Sequence, residues 1–323
     1  MQRLTLKQLT TIKAVSKFST IVAAADELGV TAAALTARIK LLEEDAGVPL
    51  FDRTSGRLRV NAAGQEVVNV ATRIEQLLTE LNNSLSAHRD MGLSHVTIGV
   101  VSTAKYFAPR LLAAFMREHT DIELSIIVGN RSETITALRD YAIDIALMGR
   151  PPLDFPVHSG MIGPHPQVLV APPDHPLAHK RCLKRTDLAN ESFLVREEGS
   201  GSRSIFEYFF DGIIIQPPRV KVEIGSNETI KQAVMAGLGL TLISAHTVEA
   251  EVADGRLVVL DVDGLPIIRQ WFIVRHANRT LSTATSKLWD FILKDGRMFL
   301  PSLHPERMRL TQGGPSAPSG RVA

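Results

Sequence analysis

The sequence predicts an α+β chain of more than one domain: a small helical front end with a hairpin, one long helix, and a doubly wound α/β body. Three observations carry this. Short apolar stripes at helical spacing, broken by a glycine-bearing turn, fill the stretch up to Gly47. A three-and-four spacing of apolar residues runs from about Asn61 to Asp90. Beyond Gly92, short β-branched runs alternate with helical ones.

At 323 residues the chain has about two domains' worth of length, and 45% hydrophobic with 22% charged residues is a globular composition. The net charge of +2, from 36 Lys and Arg against 34 Asp and Glu, excludes binding of nucleic acid by bulk charge. Any such role must be local, and the basic excess sits in residues 1–61, with 9 cations against 6 acids. The single Cys182 excludes a disulfide framework and Cys-based zinc sites, and suits a reducing compartment. No apolar run reaches the ~18 residues that cross a bilayer, so no membrane partner is expected and the expected location is the cytoplasm.

In chain order, Leu6, Leu9, Ile12 and Val15 form one stripe of a helix up to about Lys17, capped by Thr5. Thr20 caps "IVAAADEL", Gly29 ends it, and Thr31 caps "AAALTARIKLLEEDAG". Two helices joined by about four residues with a glycine make a helix-turn-helix. Ala24 and Ala25 let the helices cross closely over Leu28, Val30, Leu35, Ile39 and Leu42. The stretch "DRTSGRLRV" reads as a hairpin about Ser55 and Gly56, a wing carrying Arg53, Arg57 and Arg59. Asn61 then caps a helix to about Asp90 whose Val67, Val70, Ile74, Leu77 and Leu81 ask for a partner, with a second copy of the chain the natural one. Nine strands are expected after it, at 95–101, 123–129, 143–149, 166–172, 192–197, 219–225, 240–244, 257–262 and 269–275, with helices at 109–118, 133–141, 202–210, 228–236 and 283–294. The tail after Pro301 has a disordered composition.

The run "AADELGVTAAALTARIKLLEEDAGVPLFDRTSGRLRVNAAG" (24–64) resembles the winged helix-turn-helix of LysR-type transcriptional regulators. The match lies in the alanine pair, Leu28, Leu42-Glu43, Gly47, Leu50-Phe51 with Arg53, and the wing. Further on, "GVVSTAKYFAPRLLAAF" (99–115), "GNRSETI" (129–135), "DIALMGRPP" (144–152), "HPLA" (175–178) and "REEGSGSR" (196–203) resemble the activators of Calvin-cycle (RuBisCO) operons within that family. The resemblance spans the chain. It implies a DNA-binding domain over 1–61, a linker and dimerisation helix over 62–91, and a two-lobed effector domain over 92–301, like a periplasmic binding protein. Lobe I would cover about 92–166 and 268–301, lobe II about 167–267, with a tail over 302–323. It also implies a dimer or tetramer, RNA polymerase as a further partner, and phosphorylated metabolites or NADPH as the signals of such regulators.

In a helix-turn-helix the start of the second helix faces base edges while the wing lies on phosphates. Here the face carries Thr31, Ala32, Ala33, Thr36 and Ala37, then Arg38 and Lys40. The family usually has a Gln where this chain has Ala32. An alanine methyl can touch a thymine methyl, but it cannot make the bidentate contact that discriminates bases by ~1–3 kcal/mol. Arg38, Lys40, Arg53, Arg57 and Arg59 are left to bind double-stranded DNA through phosphates, although each taken singly also fits a solvated surface cation.

In open α/β sheets ligands sit beyond the carboxyl ends of strands. Those exits carry Ser102, Thr103 and Lys105, then Asn130 and Arg131, Gly149 and Arg150, Arg196 with Ser202 and Arg203, and Asn227. Guanidinium forks at such exits suit a phosphate or carboxylate, so a small anionic metabolite is the expected effector. The rival is that some of these arginines pair with Asp144, Glu133 or Glu197 as structural bridges.

No enzyme chemistry is legible, and no cofactor is expected. His175, His179 and Cys182 share helical spacing, but Pro176 makes a loop of them, so no metal site is expected. The "GSGS" at 199–202 lacks the spacing of a nucleophile elbow, and Gly237-Leu238-Gly239 follows a helix rather than a strand. A ligand-responsive transcription factor is the reading; a degenerate paralogue, or a small-molecule binding protein with weak, unspecific DNA binding, is the alternative.

Overall fold

Threonine oxygens open all three short helices of the front end, as their spacing predicts. In this computed structural model, which describes residues 4–18, 20–54, 57–89, 94–211 and 219–301, the chain divides into two compact units, 1–92 and 93–323.

In the first unit, Thr5 and Gln8 form a reciprocal capping box at the start of α1 (Leu6–Lys17). Thr20 caps α2 (Ile21–Glu27) by accepting from the Ala23 amide at 3.3 Å, and Thr31 caps α3 (Ala32–Ala46) through the Ala34 amide at 3.2 Å. Between α2 and α3 the chain reverses at Gly29, φ +60°, and the Val30 amide closes back on the Ala25 carbonyl at 3.0 Å. Buried Ala24 and Ala25 bring α2 against Leu35, Ile39 and Leu42, with Ile12 and Val15 of α1 completing the core. The Glu43 carboxylate accepts the amides of Leu50 and Phe51, which sets the turn into a hairpin of β1 (Phe51–Thr54) and β2 (Arg57–Val60). Asn61 caps α4 (Ala62–Arg89) through the Gly64 amide at 2.9 Å. At ~1.5 Å per residue this 28-residue helix is about 42 Å long. Lys13 of α1 pairs with Glu75 of α4. The wing turn at Ser55 and Gly56, the side chains of Arg53 and Arg57, and the tail after Pro301 lie outside the described residues.

The second unit is a doubly wound body with two lobes. Each of the nine expected strands has a counterpart. In lobe I, β3 (Ser94–Val101) runs parallel to β4 (Ile122–Gly129) on one side and β5 (Ile145–Met148) on the other. Helices α5 (Ala108–Glu118), α6 (Arg131–Arg139) and, near the end, α10 (Thr283–Asp295) cover them around Phe107, Phe115 and Trp271. The strand expected at 166–172 is much longer: β6 spans Val157–Ala171. Pro164, Pro166, Gly160 and Gly163 hide its alternation, and what holds it extended is the antiparallel ladder with β11 (Ile267–His276), register Ile267↔Gln167 through to His276↔Val157.

The far half of β6 builds lobe II. It pairs with β9 (Thr241–Ser244) and β10 (Val258–Val259), while β7 (Ser192–Arg196) runs parallel to β8 (Arg219–Ile224) and bridges to Leu240. The period of two sorts Val168, Val170 and Leu194 into a core under α8 (Asn227–Met235) and α9 (Glu249–Ala253), a helix the sequence reading lacks. Leu169, Ala171, Phe193 and Val195 go to the opposite core under α7 (Gly201–Phe210), with Phe206, Phe209 and Phe210.

Candidate effector cavity and DNA-facing surface

The exits of β3, β5 and β7 and the start of α7 surround a cavity of about 300 Å³ in the second unit. Of the eleven positions read as effector-binding, Ser102, Thr103, Arg131, Gly149, Arg150, Arg196 and Ser202 line it. Four do not. Lys105 is held by Glu228 at 2.7 Å, and Asn130 caps α6 through the Glu133 amide. Arg203 is spanned by Glu207 and Glu223, and Asn227 accepts from Arg196.

Arg196 itself is spoken for. Glu197 takes its Nε at 2.7 Å and its Nη2 at 2.8 Å, and the guanidinium is 3% exposed, so this is a structural ion pair at the cavity floor. Sequence reasoning missed five polar wall residues: Ser200 and Ser204 at the start of α7, and three from the strands that cross between the lobes. His165 and Gln167 come from β6 and Arg269 from β11, and Arg269 faces His165 across the ladder. The rule of strand exits passes over them, because they lie inside the two strands that cross between the lobes.

Arg131, Arg150 and Arg269 form the positive wall. Among the described residues none of the three side chains has a hydrogen bond or ion pair, and Arg131 Nη1 is buried without a partner. Burial, then the neighbouring positive charges of Arg150 and Arg269, lowers the Arg131 pKa; burial, then Arg150, lowers that of Arg269. Three like charges with only Asp154 near Arg131 to offset them suit a polyanionic ligand. The N-terminus of α7 at Ser200, Gly201 and Ser202 adjoins this wall, a Cβ on Gly201 meeting Arg131 Cδ at 3.8 Å. His165 closes the floor as a neutral imidazole, its pKa pushed well down by burial and then by His246 and Arg269.

On the first unit, Thr31, Ala32, Ala33, Thr36, Ala37 and Lys40 of α3 face solvent and Arg38 is half-buried. The Thr36 hydroxyl donates to the Ala32 carbonyl at 2.8 Å, and Lys40 lies 3.7 Å from Glu44. Arg59 on β2 is exposed. Along α4, Val70, Leu77, Leu78 and Leu81 are exposed, an uncovered apolar stripe. Among the described residues no group of His, Cys, Asp and Glu is arranged to hold a metal ion, and no helix is long and apolar enough to cross a membrane. His175 instead accepts from the Leu177 amide and faces Glu191.

A helix-turn-helix with a hairpin on one unit, and an arginine-walled cleft on the other, is the make-up of a ligand-responsive, DNA-binding transcriptional regulator. Residues 6–65 match the bacterial regulatory helix-turn-helix of the lysR family, and residues 92–297 match the LysR substrate binding domain. The chain belongs to the LysR family. It is 48% identical over 300 residues to the HTH-type transcriptional regulator CbbR of Xanthobacter flavus, covering 93% of this chain and 90% of that one. It is 38% identical to the RuBisCO operon transcriptional regulator of Allochromatium vinosum over 90% of this chain and 96% of the other. Among solved structures it resembles the Synechocystis PCC6803 CcmR regulatory domain in complex with 2-PG, with 35% identity and a TM-score of 0.60, over 62% of this chain and 96% of that one. Full-length CbnR complexed with its target DNA shares the fold at 20% identity and a TM-score of 0.61, over 90% of this chain and 99% of the other.

Proposed function

We propose that this LysR regulator controls carbon-fixation genes in the cytoplasm, and that its effector is a small phosphorylated anion seated on Arg131, Arg150 and Arg269. One observation supports the effector reading above all: three guanidiniums meet at a cavity, none of them in an ion pair among the described residues, and Arg131 Nη1 is buried without a partner. The relatives named for RuBisCO operons point to the genes, and the CcmR domain bound to 2-PG points to the ligand class. Ser102, Thr103, Gly149 and Ser202 would supply hydroxyls and close backbone around the anion. Calorimetric titration of the full chain with 2-PG, inorganic phosphate and an uncharged sugar tests it. Binding of the first but not the last supports the reading, and equal indifference to all three sinks it.

DNA contact then falls to Thr31, Ala32, Ala33 and Thr36 at base edges, and to Arg38, Lys40, Arg53, Arg57 and Arg59 at phosphates. The apolar stripe of α4 pairs with that of a second copy, placing two such surfaces on a two-fold-related site. RNA polymerase is the onward partner of an activator. A second reading, a paralogue whose DNA code has weakened, is favoured by the alanines of α3 and by the Thr36 hydroxyl turned back on its own helix. Selection of duplexes from a random pool separates the two: a two-fold-related motif supports the first, a flat pool the second.

A further inference from the structure

The five residues Ser102–Tyr106 leave β3 at the carboxyl end of lobe I and have two different ends. Ser102 and Thr103 are in the cavity wall. Lys105 and Tyr106 reach across the cleft to the first turn of α8 in lobe II, where Lys105 Nζ donates to Glu228 Oε2 and Tyr106 Oη donates to Glu228 Oε1, each at 2.7 Å. Ser226 Oγ adds a third donor at 3.1 Å. Behind Tyr106, Lys231 Nζ lies 4.8 Å from the phenol ring centroid and is itself anchored by Glu251 at 2.8 Å. One short segment is thus shared between the ligand cavity and a cross-cleft grip.

The chemistry of the grip is that of a catch. The Glu228 carboxylate has both oxygens occupied by lobe I donors, and although burial opposes its charge, the bonds from Lys105 and Tyr106 prevail and hold its pKa down at about 2. It is therefore ionised at any physiological pH. The side chains of Lys105 and Glu228 are 31% and 52% exposed, so water competes for both and the grip is weak enough to break and remake. It also explains why Lys105, a cation at a strand exit, does not serve the cavity: its charge is already matched.

We propose that Glu228 is a positioning residue for the effector cavity: by holding Lys105 and Tyr106 it fixes the Ser102–Tyr106 segment and couples closure of the two lobes to the shape of the ligand-facing wall. The part that concerns the anion rests on the effector reading above; the part that concerns the segment does not. Lobe opening and ligand binding then become one equilibrium, since a state that loses the grip also loses the wall.

The test is a charge-swap cycle in the full chain, with Lys105→Glu, Glu228→Lys and the double variant, read first by hydrogen exchange without ligand. The Ser102 and Phe107 amides, bonded to the Gly129 and Ala104 carbonyls, report the segment. Each single variant is expected to speed their exchange ~5–10-fold and the double to restore it to within ~2-fold. Because Glu228→Lys also removes an acid from the first turn of α8, Tyr106→Phe, which leaves that helix and the net charge intact, serves as an independent variant with an expected ~2–3-fold effect. Unchanged exchange in Tyr106→Phe and Lys105→Glu, or singles that the double fails to rescue, overturns the proposal. The second reading is 2-PG affinity, expected to fall ~3–10-fold in the single variants and return in the double. Wild-type protein that shows the exchange cycle but binds no 2-PG leaves the catch standing and removes the effector reading; wild-type affinity retained in every single variant overturns the coupling.

Discussion

His165 lies on Trp271 with ring centroids 3.8 Å and planes 19° apart, where β6 and β11 pass from one lobe to the other. The indole Nε1 donates to His246 Nδ1 at 3.1 Å, and His165 Nε2 meets Ser244 Oγ at 2.9 Å. Both imidazoles are buried and neutral, which makes this crossing the acid-sensitive point of the second unit.

Burial lowers the His246 pKa from 6.5 to about 4, and burial, then His246 and Arg269, holds that of His165 well below its ordinary value. Between those values the unfolded chain binds more protons than the folded one, so stability is full above about pH 6.5 and falls as pH drops towards 4. His246 contributes about 3 kcal/mol of that loss. Thermal midpoints of the full chain from pH 8 to 4 should decline on the acid side, and His246→Gln should flatten the decline. A midpoint level across that range contradicts the account.

The guanidiniums of Arg131, Arg150 and Arg269 repel one another at the cavity, and Asp154 offsets this only in part. Arg131→Met should raise the ligand-free midpoint of the second unit by about 2–4 °C, for roughly 1 kcal/mol regained. The same change should weaken 2-PG binding about 10- to 100-fold through the loss of a charged contact. Differential scanning fluorimetry with and without ligand reads both, and a destabilised empty protein would show Arg131 to be structural.

Gly64, at the head of α4, has no room for a side chain. A Cβ there would lie 2.2 Å from the Leu50 carbonyl oxygen and 2.6 Å from Val60 Cγ1. Gly64→Ala is expected to cost about 1–3 kcal/mol in the first unit, lowering DNA binding while 2-PG affinity stays within ~2-fold.

DNA affinity should fall steeply with salt, because the faces of α3 and β2 offer cations and few base-reading groups. Arg59→Ala should reduce the slope of log K against log salt by about 0.9, uniformly across sequences. Ala32→Gln, which restores a side chain able to read adenine, should sharpen the motif recovered from a random pool.

Local signals were the legible ones. Thr5, Thr20, Thr31 and Gly47 act within four residues of their own positions, so their capping roles follow from neighbours in the chain. The strands were legible for the same reason, β-branched runs between glycines. Partners across 94 to 123 residues were not: nothing near Lys105 announces Glu228, and nothing near Ser102 announces Arg196. Arg269 was hidden for a geometric reason, since β11 meets the cavity near its start and not at its exit. The length of β6 was hidden because its prolines and glycines look like loop until β11 lies beside them.

The paired crossing of β6 and β11 bears on how the second unit can come apart. Each lobe is built from strands whose other halves belong to its neighbour, and lobe I is drawn from two separated stretches of chain. Lobe I cannot be cut out as a continuous fragment, and melting either lobe would strip the shared strand β6 from the other. The body should therefore unfold in a single cooperative step, and a proteolytic nick in either lobe should release both.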